Sequence, residues 1–234
     1  MIKNLVILQA RMSSSRLPGK VLKEVNGMPI LYWHIQRIKQ AKKVDKIIVA
    51  TSTDKSDDKL VDFLLKNKIP FYRGSLTNVF SRYLEIAREI QPKVIVRLTA
   101  DCPLFMPNLL DEMLEKFEYL ECDYYSNIDP PSFPDGLDIE IMKTETLVVL
   151  SKFDLNIQEL EHVTLGIRNR KDVFNQGNFA HKENLSKKRW TLDTLSDLYF
   201  IQSIYGRLIG SETQFNFQDV LDAEKRINLN EELS

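Results

Sequence analysis

Residues 46–72, KIIVATSTDKSDDKLVDFLLKNKIPFY, decide the fold. Lys46–Thr51 is a short apolar run with β-branched residues and reads as a strand. The polar step Ser56-Asp57-Asp58 opens a stretch in which Leu60, Phe63 and Leu64 recur at helical spacing. Pro70–Tyr72 returns to strand. The same order repeats outward in both directions. Upstream, Leu5–Leu8 is a buried strand, and Ile30, Leu31, His34, Ile35 and Ile38 mark one face of a helix. Downstream, Val79, Tyr83, Ile86, Ala87 and Ile90 mark another, ahead of the strand KVIVRL at 93–98. Strands alternating with helices imply right-handed crossovers and a mainly parallel sheet, an α/β protein. Ligands of such sheets sit beyond the carboxyl ends of the strands, near a reversal of strand order. Polar residues directly after strands are therefore the candidates for chemistry.

The second half is less regular. DPPSFPD (129–135) is a loop, and Leu137–Met142 alternates like a strand. Gln158–Asn169 reads as a helix, Val173–Ala180 as strand or loop, and Arg189–Leu192 as a short strand. Leu195–Leu208 and Phe217–Ile227 read as closing helices. One domain, 1–234, is expected, with Phe153–Lys188 as a protruding insertion that serves dimerisation or the acceptor site.

Composition narrows the function. Of 234 residues, 43% are apolar and 28% charged, which is ordinary for a globular chain large enough to bury a core. With 32 basic and 33 acidic residues the formal charge is −1, so no global field recruits nucleic acid or an anionic membrane. Cys102 and Cys122 lie in no metal-ligand spacing and suit a reducing compartment. The start of the chain lacks the apolar core of a signal peptide, and no apolar run reaches the ~20 residues of a membrane span. A cytoplasmic location is expected.

The first strand runs directly into Gln9-Ala10-Arg11-Met12-Ser13-Ser14-Ser15-Arg16-Leu17-Pro18-Gly19-Lys20. Backbone N–H groups, hydroxyls and fixed cations together suit a polyphosphate. The arginines offer planar forks to phosphate oxygens and the lysine a mobile point charge. The alternative is a solvated basic loop. Neither GxxxxGK[ST] nor GxGxxG is present, which argues against a P-loop or a dinucleotide site.

The motifs QARMSSSRLPGKVL (9–22), ATSTD (50–54), FYRGS (71–75), NVFSRY (78–83), VRLTADCPL (96–104), PDGLDIEI (134–141), EHVT (161–164) and RWTLDTLSDL (189–198) span nearly the whole chain. In order and spacing they resemble the cytidylyltransferases that activate acylneuraminate and 3-deoxy-manno-octulosonate, in the SpsF-like, spore-coat polysaccharide branch. The resemblance implies a three-layer Rossmann-like sheet of the nucleotide-diphospho-sugar transferase type. It also implies CTP as substrate, Mg²⁺ as cofactor, and a homodimer.

The resemblance distributes roles along the chain. Gln9 and Ala10 contact the nucleotide. Arg11 and Lys20 are catalytic triphosphate cations, with Arg16 as a further one. Thr51, Ser52, Arg73, Arg82, Arg97, Thr99 and Ala100 are also implied in nucleotide binding. Read from the residues alone, Arg82 is equally a helix-surface charge, and Arg97, among apolar neighbours, needs an anionic partner that is either a ligand phosphate or a structural Asp. The family pattern places Asp before the arginine at position 82, where this chain has Ser81. A carboxylate at Asp101, beside a triphosphate, needs an intervening cation, and the resemblance makes it a catalytic metal ligand. The competing reading, a cap for the helix near Pro107, places the residue too far upstream. Asp193 is the implied second ligand, although on sequence alone the favoured reading is a cap, by Asp193 or Thr194, for the next helix. Asp138 and Glu140, two apart on an alternating strand, share a face. They suit an acceptor hydroxyl, a metal, or plain solvent. His162, Arg168 and Arg189 suit an anionic acceptor. His34 belongs to the core, and Cys102 has no base beside it for covalent chemistry.

The implied reaction is in-line attack on the α-phosphorus of CTP by an acidic sugar or phosphorylated small molecule, with release of pyrophosphate, in surface polysaccharide or glycoconjugate synthesis. Two rivals are a GT-A-like glycosyltransferase, for which ADCP supplies only one aspartate of a DxD site, and a catalytically silent nucleotide-binding subunit.

Overall fold

A computed structural model of the protein describes residues 2–232. Nine strands form, at Asn4–Gln9 (β1), Glu24–Val25 (β2), Met28–Pro29 (β3), Lys46–Ser52 (β4), Phe71–Gly74 (β5), Val94–Thr99 (β6), Tyr124–Ser126 (β7), Glu140–Lys143 (β8) and Gln176–Asn178 (β9) among the described residues. Helices form at Ile30–Ile38 (α1), Asp58–Lys66 (α2), Val79–Ile90 (α3), Pro107–Tyr119 (α4), Thr144–Leu150 (α5), Ile157–His162 (α6), Leu165–Arg168 (α7), Leu195–Arg207 (α8) and Phe217–Glu232 (α9). Seven strands make one sheet in the order β5-β4-β1-β6-β8-β7-β9. Pairing is parallel from β5 through β6, and β8 runs antiparallel between β6 and β7.

Alternation along β1 explains the three layers. Val6 and Leu8 face one side, with Ile30, Leu31, Leu60, Leu110 and Ile201. Leu5 and Ile7 face the other, with Val79, Tyr83, Ile86, Leu147 and Ile167. A strand covered on both faces must be apolar at every position, as LVIL is.

Three expectations shift in the second half. The strand expected over 137–142 pairs only from Glu140, because the amide of Asn127 takes the earlier backbone groups. Its Nδ2 donates to Leu137 O (2.7 Å), and its Oδ1 accepts from Ile139 N (2.8 Å). Residues 189–192 form only a bridge, Asp135 to Arg189, since Trp190 N bonds Asp135 O while Leu192 N bonds Asp101 O. The helix expected over 158–169 breaks at Val163, whose φ of 49° is rare for a β-branched residue. Thr164 N bonds His162 O across this γ-turn (2.5 Å). Residues 153–188 thus carry α6, α7 and β9, with Val163, Ile167 and Phe174 buried in the second core. Among the described residues no helix is long and apolar enough to cross a membrane.

His34 is wholly buried against Phe105, and neither ring nitrogen has a partner among the described residues. Burial, with Arg37 adding to it against the pull of Asp101, lowers its pKa to about 3 from 6.5. Between those values the unfolded chain binds the extra proton, so His34 lowers stability as pH falls below 6.5. From pH 7 to pH 5 its share of the loss is about 2 kcal/mol. Urea unfolding at the two pH values is expected to show a His34→Leu variant losing less than the wild type by about that amount.

Candidate active site

Strand order reverses at β1, with β4 and β5 on one side and β6 on the other. A cavity of about 330 Å³ opens at this point, beyond the carboxyl ends of β1 and β6. Gln9, Ala10, Arg11, Ser14, Ser15, Arg16 and Lys20 line it from the first loop. Arg97, Thr99, Ala100 and Asp101 line it from β6 and its end, and Glu161, His162 and Asp193 close it from the second half.

The loop is held by its backbone. Ala10 N donates to Ala50 O (3.1 Å) and Ala100 N to Gln9 O (2.9 Å), which carries the sheet ladder one residue past β1. Met12 N donates to Asp57 Oδ1 (2.7 Å). The other Asp57 oxygen accepts from Thr51 Oγ1 and Ser52 N, both at 3.0 Å. Gly19, at φ 68°, turns the chain so that its N–H meets Met12 O and Lys20 starts a short 3₁₀ turn. Lys20 Nζ then reaches Asp101 Oδ2 at 2.8 Å and Asp193 Oδ1 at 2.9 Å.

Asp193 is free to do this because Thr194 caps α8, in a reciprocal box with Asp197. Arg16 and Arg189 occupy the other Asp193 oxygen, at 3.0 and 2.8 Å. Arg189 also binds Asp135 (2.8 Å) and Asp197 (3.2 Å). Burial works to raise the pKa of Asp101, but the Lys20 ammonium and the Thr99 hydroxyl outweigh it and hold the carboxyl below its usual range. Burial likewise opposes charge on Lys20, and the two aspartates outweigh it, raising its pKa. Arg11 Nη2 meets Glu161 Oε1 at 3.3 Å across the mouth.

The two carboxylates of the PDGLDIEI motif separate. Glu140, 2% exposed, pairs with Arg97 and accepts from the hydroxyls of Tyr124 and Thr164. It is the buried counter-ion that lets Arg97 stand in the cavity wall. Asp138, half-buried, accepts no hydrogen bond among the described residues. The last β6–β8 pair is Arg97 with Glu140, and Asp138 lies just before it, within reach of the charges of Asp101, Asp135 and Arg97. Burial and the charges of Asp135 and Glu140 raise its pKa to about 6, against the pull of Arg97.

The other sequence candidates, His162 excepted, lie outside the cavity. Thr51 and Ser52 hold Asp57. Arg73 bonds Ser52 O (2.8 Å) and Asp58 (2.7 Å), and Arg82 bonds the carbonyls of Ser75 (2.7 Å) and Leu76 (3.0 Å). These residues support the walls. His162 stands exposed on the rim, and Arg168 carries a buried Nε without a partner among the described residues. Sequence reading missed Asp57 and Asp197. Asp57 looked like a helix opener, whereas the T-x-x-D spacing of the Asp197 box was legible. Asp101 and Asp193 stand as a pair. Among the described residues no group of three or more His, Cys, Asp or Glu converges on a cation position.

Comparison with known proteins agrees with this geometry. The profile of a family described as cytidylyltransferase matches residues 5–227. The spore coat polysaccharide biosynthesis protein SpsF of Bacillus subtilis (strain 168) is 33% identical over 208 residues, covering 86% of this chain and 85% of that protein. A cytidylyltransferase structure from Leptospira borgpetersenii serovar Hardjo-bovis (strain JB197) superposes with a TM-score of 0.90 at 30% identity, covering 97% of this chain and 96% of that one. A CMP:2-keto-3-deoxy-manno-octonic acid synthetase complexed with CTP shares the fold, with a TM-score of 0.66 at 16% identity over 87% of this chain and 98% of that one. A basic loop at the strand reversal, facing paired aspartates, within a match that runs almost end to end, makes this chain a member of the cytidylyltransferase family.

Proposed function

We propose that the protein transfers CMP from CTP to an anionic acceptor, an acidic sugar or a phosphorylated small molecule, and releases pyrophosphate. The observation that carries this reading is the convergence of Asp101 and Asp193 on one cation position inside the basic loop. Two carboxylate oxygens meeting at one ammonium fit Mg²⁺, which takes few carboxylates and completes its shell with phosphate oxygens and water. Bound Mg²⁺ supplies neutralisation of the phosphate charge at that position. Arg11, Arg16 and Lys20 hold the triphosphate and stabilise the departing pyrophosphate, while the N–H groups of the loop fix its register.

The acceptor approaches from the β8 side. Its oxygen forms a bond to the α-phosphorus as the bond from that phosphorus to the bridging oxygen breaks, and pyrophosphate leaves with the electron pair. The proton of a hydroxyl acceptor passes to Asp138, a carboxylate that accepts no hydrogen bond among the described residues. Arg189 is committed to three aspartates, so His162 and Arg168 are left to meet the acceptor's negative charge. The description of SpsF supports a setting in surface polysaccharide synthesis. Exposed Ile157, Phe153 and Val173 support a contact between two copies over 153–188. CTP supply and free thiols support the cytoplasm.

The test is a panel of acidic sugars and phosphorylated small molecules with CTP and Mg²⁺, scored by pyrophosphate release and product mass. Pyrophosphate with an acceptor-linked CMP is the expected result. Turnover of nucleotide sugars in place of CTP would instead mark a glycosyltransferase.

A further inference from the structure

The geometry points to a second role for Lys20: in the nucleotide-free protein its ammonium fills the cation seat between Asp101 and Asp193 and keeps bare divalent metal out, so that metal enters only together with CTP. This rests on the reading of Asp101 and Asp193 as the metal pair.

Each aspartate presents one oxygen to the seat, and Lys20 holds both. Asp101 offers Oδ2, at 2.8 Å from Nζ. Asp193 offers Oδ1, at 2.9 Å, because Arg16 and Arg189 occupy its Oδ2. The Lys20 side chain is only 11% exposed, and the 3₁₀ turn after Gly19 anchors its base. A metal ion arriving alone must expel this ammonium and leave it in a half-closed pocket already holding Arg11, Arg16 and Arg97. That position is unfavourable for an unpaired cation. A metal arriving with CTP brings the triphosphate, which gives the displaced ammonium a new anionic partner within the same loop. The lysine stem is flexible enough for the transfer, whereas a guanidinium fork is less so. Metal and nucleotide are then coupled, and the coupling is reciprocal: each raises the affinity for the other.

The experiment titrates Mn²⁺ alone into the full-length protein and follows the free ion by electron paramagnetic resonance. A seat occupied nine-tenths of the time by Lys20 weakens apparent metal affinity by about tenfold. Lys20→Met is therefore expected to bind bare Mn²⁺ at least about tenfold more tightly than wild type. Lys20→Gln provides the same test should the Met variant fold poorly. Arg11→Met, which removes a pocket cation that touches neither aspartate, is expected to change the affinity by no more than about twofold. Adding Asp101→Asn to Lys20→Met is expected to abolish the gain.

The exclusion is overturned if the Lys20 variants bind bare Mn²⁺ no better than wild type. It is overturned equally if Arg11→Met gains as much, since the effect would then be one of overall charge. The underlying metal assignment falls separately if wild type with CTP retains Mn²⁺ no more strongly than the Asp101→Asn protein does.

Discussion

Replacing Asp101 by Asn is expected to lower turnover of CTP by about a thousandfold or more, because the variant loses charge at the point where transition-state charge must be balanced. The substitution conserves volume, and an amide oxygen still accepts from Lys20. What disappears is one of the two negative charges that define the seat. The Lys20 ammonium would then hold one anionic partner, Asp193, at 2.9 Å. Nucleotide affinity without metal is expected to fall little, since Arg11, Arg16 and the loop N–H groups remain. The measurement is steady-state pyrophosphate release over a Mg²⁺ series. A deficit that persists at saturating Mg²⁺ matches the assignment, and near-normal turnover there refutes it.

The second large effect lies away from the phosphates, at Gly136. Its φ is 108°, a region closed to side chains. A Cβ there would lie 2.6 Å from both Thr191 N and Trp190 C, and 2.8 Å from Trp190 O. These are backbone atoms, so no side chain can swing away. Trp190 N is also bonded to Asp135 O at 2.7 Å, and Leu192 N to Asp101 O at 2.8 Å. The segment held so closely leads directly to Asp193. Gly136→Ala is therefore expected to cost about 3 kcal/mol or more, a fall in the melting midpoint of about 6–12 °C for a chain of this size. Surviving folded protein should show impaired turnover, because Asp193 moves with the segment 189–192 that leads into it. Gly19→Ala is the internal comparison. Its Cβ meets only the end of Met12, at 3.2 Å, with φ at 68°, and about 1 kcal/mol is expected. Thermal melts of the two variants, with similar losses for both, would contradict the close-approach argument.

The half of the fold built by local periodicity was legible. β1, β4 and β6 are apolar runs, and each helix from α1 to α3 shows its buried face in sequence spacing. The polar residues directly after β1 and β6 were legible as candidates too, and Lys20 and Asp101 line one cavity. What could not be read are contacts made across long separations. Lys20 meets Asp193 across 173 residues, and Arg11 meets Glu161 across 150. The split between Asp138 and Glu140 is of the same kind. Sequence alternation puts both on one face, but only Glu140 lies in β8, and Tyr124, Thr164 and Arg97 converge on it. The break at Val163 has no local signal either. It is set where Thr164 turns to Glu140 while Val163 enters the core. Asp57 illustrates the converse. Its position suggested a helix start, and the folded chain uses it to fasten the loop after β1 to β4.

Transfer of the α-phosphorus itself can be followed with CTP labelled at the α- or the γ-phosphate, incubated with Mg²⁺ and an acceptor active in the panel. The expected result is α-label in the acceptor-linked product and γ-label only in pyrophosphate. Release of α-label as free CMP or CDP with the acceptor unlabelled, or of γ-label as orthophosphate, would contradict cytidylyl transfer.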